Sequence, residues 1–89
     1  MENNHFFYVL LCGDGSFYAG YTNDLDKRLR VHNEGKGAKY TRARLPVSLV
    51  HSEAYPTKQE AMQMEYHFKT LSRKKKERYL EARREAVSE

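Results

Sequence analysis

From His5 to Cys12 the chain runs through eight residues that are nearly all apolar. The run is too short for a helix and rich in residues that favour extended backbone, which predicts a central strand buried on both faces. Gly13-Asp14-Gly15-Ser16 carries a hairpin signal, and Phe17 to Tyr21 reads as the returning strand. Asn23 is placed to cap a helix beginning at Asp24, with Asp24 and Asp26 favourable in its first turn and Gly35 as its stop. Leu25 and Leu29, one turn apart, turn that helix towards the sheet. Gly35 to Arg44 reads as a loop, and after Pro46 the alternation from Val47 to Tyr55 predicts a third strand. Thr57 and Glu60 have the spacing of a capping box, and Ala61, Met64, Phe68 and Leu71 then line one helical face. A basic helix over about residues 73–86 follows. The expected fold is α+β: a small three-stranded antiparallel sheet flanked by helices, in the order β-β-α-β-α-α.

Length and composition narrow the classes. Eighty-nine residues make one domain, 1–89, with its core over about 5–80. No apolar run approaches the roughly 20 residues that cross a bilayer, so no membrane partner is expected. The first four residues lack the pattern of a secretory leader. Cys12 is the single cysteine, so no internal disulfide can form, which fits a cytoplasmic protein. It reads as a small buried hydrophobe in its strand.

Charge adds more. The net formal charge is +4, and the basic residues cluster. Seven lie from Lys27 to Arg44 against Glu34 alone, and eight lie from Lys69 to Arg84 against Glu77 and Glu81. Such clusters are the footprint of a polyanion binder, although a solvated surface has the same composition.

Three placements stand out. Arg28 and His32 are spaced i, i+4 and stack one turn apart beside the stripe that faces the sheet. Glu65, next to Met64, sits at the margin of an apolar face, where a carboxylate needs a metal, a cation or hydrogen bonds. Tyr8 and Tyr18 lie on the two hairpin strands. Each placement also has an ordinary structural reading, as solvated pair, edge salt bridge or strand packing. The hairpin register separates the cases for the tyrosines. A three-residue loop with Gly15 left-handed pairs Leu10 with Tyr18 and brings Tyr8 and Tyr18 out on one face; a two- or four-residue loop opposes them.

The segments Phe6-Phe7-Tyr8 and Tyr18-Ala19-Gly20, followed by Arg28, His32 and a distant Glu65, resemble the GIY-YIG endonuclease superfamily. The stretches Cys12 to Thr22, Gly35 to Arg44 and Lys69 to Arg73 are similar to its small stand-alone bacterial branch, and the likeness spans about residues 5–80. Phe6, Phe7 and Ala19 depart from the namesake motif, Tyr8 and Tyr18 are closer together than is usual, and the late asparagine of some members has no counterpart.

The resemblance implies metal-dependent hydrolysis of a nucleic-acid phosphodiester. Glu65 would hold one Mg²⁺ or Mn²⁺, Tyr8 would be general base on the attacking water, and Arg28 would neutralise charge on the phosphate. His32 would orient the reacting groups and Tyr18 would complete the pocket wall. Lys36, Lys39, Arg42, Arg44, Lys69, Arg73 and Lys74 are the expected contacts to the nucleic acid, DNA ahead of RNA. The loop from Gly35 to Lys39 is not a P-loop, because no GKS or GKT follows at the required spacing. The main rival is a module on the same fold that binds DNA or RNA without cutting it, and a third reading is an interaction or structural protein whose basic patches merely solvate it.

Overall fold

The computed structural model describes residues 4–87, with side chains described to Arg84. Strands β1 (His5–Leu11), β2 (Phe17–Thr22) and β3 (Ser48–Tyr55) form one antiparallel sheet with β1 in the centre. Helices α1 (Leu25–Asn33), α2 (Lys39–Arg42), α3 (Lys58–Thr70) and α4 (Arg73–Val87) complete the chain. As the continuous apolar run requires, Phe7, Tyr8, Val9 and Leu10 are all buried. Alternate residues of β1 feed two cores. Phe7 and Val9 join Ala19, Phe68 and Leu80 beneath α3 and α4, whereas Tyr8 and Leu10 join Cys12 and Val47, with Leu25 and Leu29 of α1 packed on them.

The hairpin has the three-residue form. Gly15 has φ +85°, the Cys12 N–H donates to the Ser16 carbonyl at 2.8 Å, and Leu10 pairs with Tyr18. Two expectations are corrected. Helix α1 is capped by Asp24, not Asn23: the Thr22 hydroxyl accepts from the Asp24 N–H at 3.1 Å, and the Asp24 carboxylate accepts from the Lys27 N–H at 3.1 Å. The segment read as a loop from Gly35 to Arg44 contains α2, so the order is β-β-α-α-β-α-α. That turn forms because the Ala38 carbonyl accepts from Thr41 and Arg42 while Thr41 is fully buried. Val47 is core but outside the ladder, since the Asn33 side-chain amide grips both its N–H (2.8 Å) and its carbonyl (3.0 Å).

Helix α3 starts as its capping signal predicts. The Thr57 hydroxyl accepts from the Glu60 N–H at 3.2 Å and donates to the Glu60 carboxylate at 2.9 Å. Helix α4 is held by a cluster that the sequence patterns did not single out. The Glu53 carboxylate accepts from the Tyr55 and Tyr79 hydroxyls, from Arg83 Nε at 3.2 Å and from His51 Nε2 at 2.7 Å. Burial alone would raise the Glu53 pKa, but the hydrogen bonds from Tyr55, Tyr79 and His51 override it and hold the carboxyl at about 2. Arg73 ties the start of α4 to the hairpin, donating to the Gly15 carbonyl at 2.7 Å with its guanidinium 4.1 Å from the Phe17 ring.

Candidate functional site

The hairpin register brings Tyr8 and Tyr18 onto one face, with ring centroids 6.5 Å apart. Tyr8 lies across Gly20, its partner on β2. A Cβ at residue 20 would lie 2.5 Å from the Tyr8 oxygen, so only glycine leaves room for the ring. Helix α1 then delivers His32, fully buried, between the two tyrosines. Its Nε2 is 3.0 Å from the Tyr8 oxygen, and its ring centroid is 6.1 Å from Tyr8 and 5.3 Å from Tyr18.

The far side of the imidazole is held by residues that sequence reasoning missed. His32 Nδ1 is 2.8 Å from the hydroxyl oxygen of Thr41, and that hydroxyl is 2.9 Å from the Ala38 carbonyl. Gly37 permits the approach, because a Cβ there would stand 2.3 Å from His32 Nδ1. A small uncharged threonine gives no periodic or electrostatic signal, so only its place in the segment from Gly35 to Arg44 pointed this way.

Arg28 is half-buried one turn before His32. Burial raises the Tyr8 pKa, the adjacent Arg28 guanidinium opposes that rise, and the charges of Tyr18 and Glu65 add to it. Burial and the Arg28 charge both lower the pKa of His32, so its imidazole is neutral near pH 7. Glu65 approaches from α3. Its side chain is 18% exposed and pairs with Lys69 Nζ at 3.2 Å. The same ammonium stands 5.9 Å from the Tyr18 ring centroid. A hollow of about 380 Å³ opens beside Tyr18, with Tyr40, Lys69 and Lys76 in its walls. The larger groove of about 930 Å³, between the hairpin and α4, touches none of Tyr8, Tyr18, Arg28, His32 or Glu65.

Among the described residues no three His, Cys, Asp or Glu side chains gather at one point. The carboxylate whose charge is felt at Tyr8 is that of Glu65. A single carboxylate suits Mg²⁺ or Mn²⁺, which take one or two carboxylates and leave the remaining positions to water and phosphate oxygens. Lys69 is half exposed, so its flexible chain can vacate the carboxylate.

The basic residues divide into two groups. Lys36, Lys39, Arg42 and Lys74 are exposed and form no ion pair among the described residues. Arg44 is engaged within the fold. Its Nε donates to Asp14 at 3.0 Å, its Nη1 donates to the Tyr40 carbonyl at 2.8 Å, and its guanidinium lies 3.8 Å from the Tyr40 ring. Arg73 is similarly engaged by Glu77 and Gly15. Tyr40 stacks on Tyr18 at 6.1 Å and 22°, which joins α2 to the wall of the site.

A profile of the GIY-YIG catalytic domain matches residues 4–79. The chain is 73% identical over 82 residues to a UPF0213 protein of Bacillus velezensis, covering 92% of this chain and 83% of that one. It is 65% identical over 82 residues to the UPF0213 protein YazA of Bacillus subtilis, with 92% and 83% covered. Two solution NMR structures are similar. The UPF0213 protein BH0048 from Bacillus halodurans gives a TM-score of 0.59 at 54% identity, covering 88% of this chain and 83% of that one. The protein EF2693 from E. faecalis gives 0.60 at 53%, covering 92% and 90%.

Proposed function

The chain belongs to the GIY-YIG family, and on that footing we propose that it is a divalent-metal-dependent endonuclease of the cytoplasm, acting on DNA ahead of RNA. The observation that carries this reading is the 3.0 Å contact between the Tyr8 hydroxyl and His32 Nε2, with the charges of Arg28 and Glu65 both felt at Tyr8. A phenol is a poor base near pH 7 because its reference pKa is about 10, and burial raises that of Tyr8 further. It becomes competent if its own proton has somewhere to go. His32, neutral and in contact, supplies the destination.

In the proposed reaction water attacks phosphorus while the Tyr8 oxygen accepts a proton from it and releases its own to His32 Nε2. A bond forms between the water oxygen and phosphorus, the phosphoester P–O bond breaks, and the leaving oxygen takes a proton from solvent. Arg28 opposes the negative charge developing on the phosphate, a contribution whose loss costs on the order of 10²–10³ in rate. Tyr18 walls the hollow and positions the imidazole against Tyr8. Glu65 would hold the divalent ion, which when bound supplies Lewis-acid polarisation of the phosphate oxygens. Lys36, Lys39, Arg42 and Lys74 would carry the flanking phosphates by charge alone.

The test is incubation with nicked, branched and single-stranded DNA and with RNA, in Mg²⁺ or Mn²⁺ and in chelator. Expected is metal-dependent cleavage that disappears in Glu65→Ala, Arg28→Ala and Tyr8→Phe while binding survives. Binding with no cleavage of any substrate in any metal would replace the nuclease by a non-cutting module.

A further inference from the structure

The relay requires that His32 Nε2 carry no hydrogen. We propose that Thr41 is a positioning residue that fixes the tautomer of His32 and thereby aims the Tyr8 proton. The inference rests on the nuclease reading for its consequence but not for its geometry. It follows from counting hydrogens. Thr41 has one hydroxyl hydrogen, and the Ala38 carbonyl, 2.9 Å away, can only accept, so we assign the hydrogen there. The Thr41 oxygen must then accept from His32, 2.8 Å away, which puts the ring hydrogen on Nδ1. Nε2 is left as a bare acceptor, and the Tyr8 hydroxyl at 3.0 Å donates to it. The lone pairs of Tyr8 are thereby free for a proton arriving from elsewhere.

His32 and Thr41 are both fully buried, so solvent does not offer either group a substitute partner. Three positions of one short stretch cooperate: Gly37 makes room for the ring, Ala38 takes the hydroxyl hydrogen, and Thr41 receives the ring hydrogen. The exposed Lys39 and Arg42 flank that same threonine on α2. The element that sets the tautomer is thus the one whose cations face solvent beside the site.

The test is the ¹⁵N chemical shifts of the His32 ring in histidine-labelled protein at neutral pH, assigned by comparison with His32→Gln. Expected in the wild type is a protonated Nδ1 and an unprotonated Nε2. Thr41→Val keeps the shape and removes the acceptor, so Nε2–H should become populated, whereas Thr41→Ser should restore the wild-type pattern. Where cleavage is measurable, Thr41→Val should lower kcat about 10–100-fold with KM little changed, and Thr41→Ser should recover most of it. A wild-type ring protonated on Nε2, or a tautomer unmoved by Thr41→Val, overturns the proposal whatever the enzyme cuts. Should Thr41→Val fail to fold, the wild-type and Thr41→Ser spectra still decide. The expected tautomer in a protein that cuts nothing would instead remove the nuclease reading and leave the tautomer lock standing.

Discussion

Gly20 stands directly across the hairpin from Tyr8, and a single added methyl would come within 2.5 Å of the Tyr8 oxygen. Gly20→Ala should therefore push the phenol off His32 without altering the chemistry of either. Overpacking of this kind costs about 1–3 kcal/mol, and displacement of a reacting group by about 1 Å costs on the order of 10² in rate. Thermal melting should show a folded protein of lowered Tm, and cleavage should fall far more than the melting shift explains. An unchanged cleavage rate would mean that the Tyr8 hydroxyl is not where the reaction occurs.

The pH dependence follows from His32. Its folded pKa lies below the ordinary 6.5, with burial as the main cause and the Arg28 charge as the second. In the proposed relay the neutral ring is the working form, so the acidic limb of kcat/KM should fall below pH 6.5 and activity should be flat through neutrality. The stability contribution has the matching sign. A depressed pKa favours the folded state fully above about 6.5, and the benefit is lost as pH falls through the folded value. Arg28→Leu removes a charge that disfavours the imidazolium, so NMR titration should show the His32 pKa rising. A pKa that falls in this variant would sink the assignment of Arg28 as its neighbour.

Glu53 makes a separate acid-sensitive element on the opposite face. Its carboxyl is held at about 2 against an ordinary 4.5, so its contribution is present above about 4.5 and is lost as pH falls towards 2. Glu53→Gln should lower Tm at neutral pH and flatten the decline of Tm over that acid range. The candidate site is on another face, so nucleic-acid affinity at neutral pH should move little. Equal steepness in the two acid profiles would show that other carboxylates dominate.

Lys39→Ala and Arg42→Ala should weaken binding about equally across sequences and reduce the slope of log affinity against log salt by about one each. Arg44→Ala should behave otherwise. Its donors already serve Asp14 and Tyr40, so its loss should register mainly in Tm. A salt slope lowered as much by Arg44→Ala as by Lys39→Ala would put Arg44 on the phosphate track as well.

Strong periodicity carried most of the fold into the sequence. The apolar run from His5, the left-handed glycine of the hairpin and the Thr57 cap each depend on neighbours within a few residues, and each is where the pattern predicts. The α2 turn was illegible for the opposite reason. Beyond its own bonds to the Ala38 carbonyl, it is held by Thr41 meeting His32 nine residues earlier, a tertiary contact with no local signature. The cap of α1 is Asp24 because the Thr22 hydroxyl, still in β2, accepts the Asp24 N–H while the Asp24 carboxylate accepts from Lys27. Charge made Arg28 and Glu65 conspicuous in the sequence, whereas the steric roles of Gly20 and Gly37 emerge only when the rings they admit are in place.

The Asn33 clasp on Val47 has one more effect. By joining positions 14 residues apart, it ties the base of the excursion that carries α2, so the intervening chain behaves as a tethered bight. Lengthening such a bight raises its closure entropy only logarithmically, by about 0.6 kcal/mol per doubling. Closure alone would therefore tolerate extra residues, but Gly37 and Thr41 against His32 fix where the chain must pass, and exchange of Asn33 for leucine would leave the bight held by these contacts and by Arg44 on Asp14.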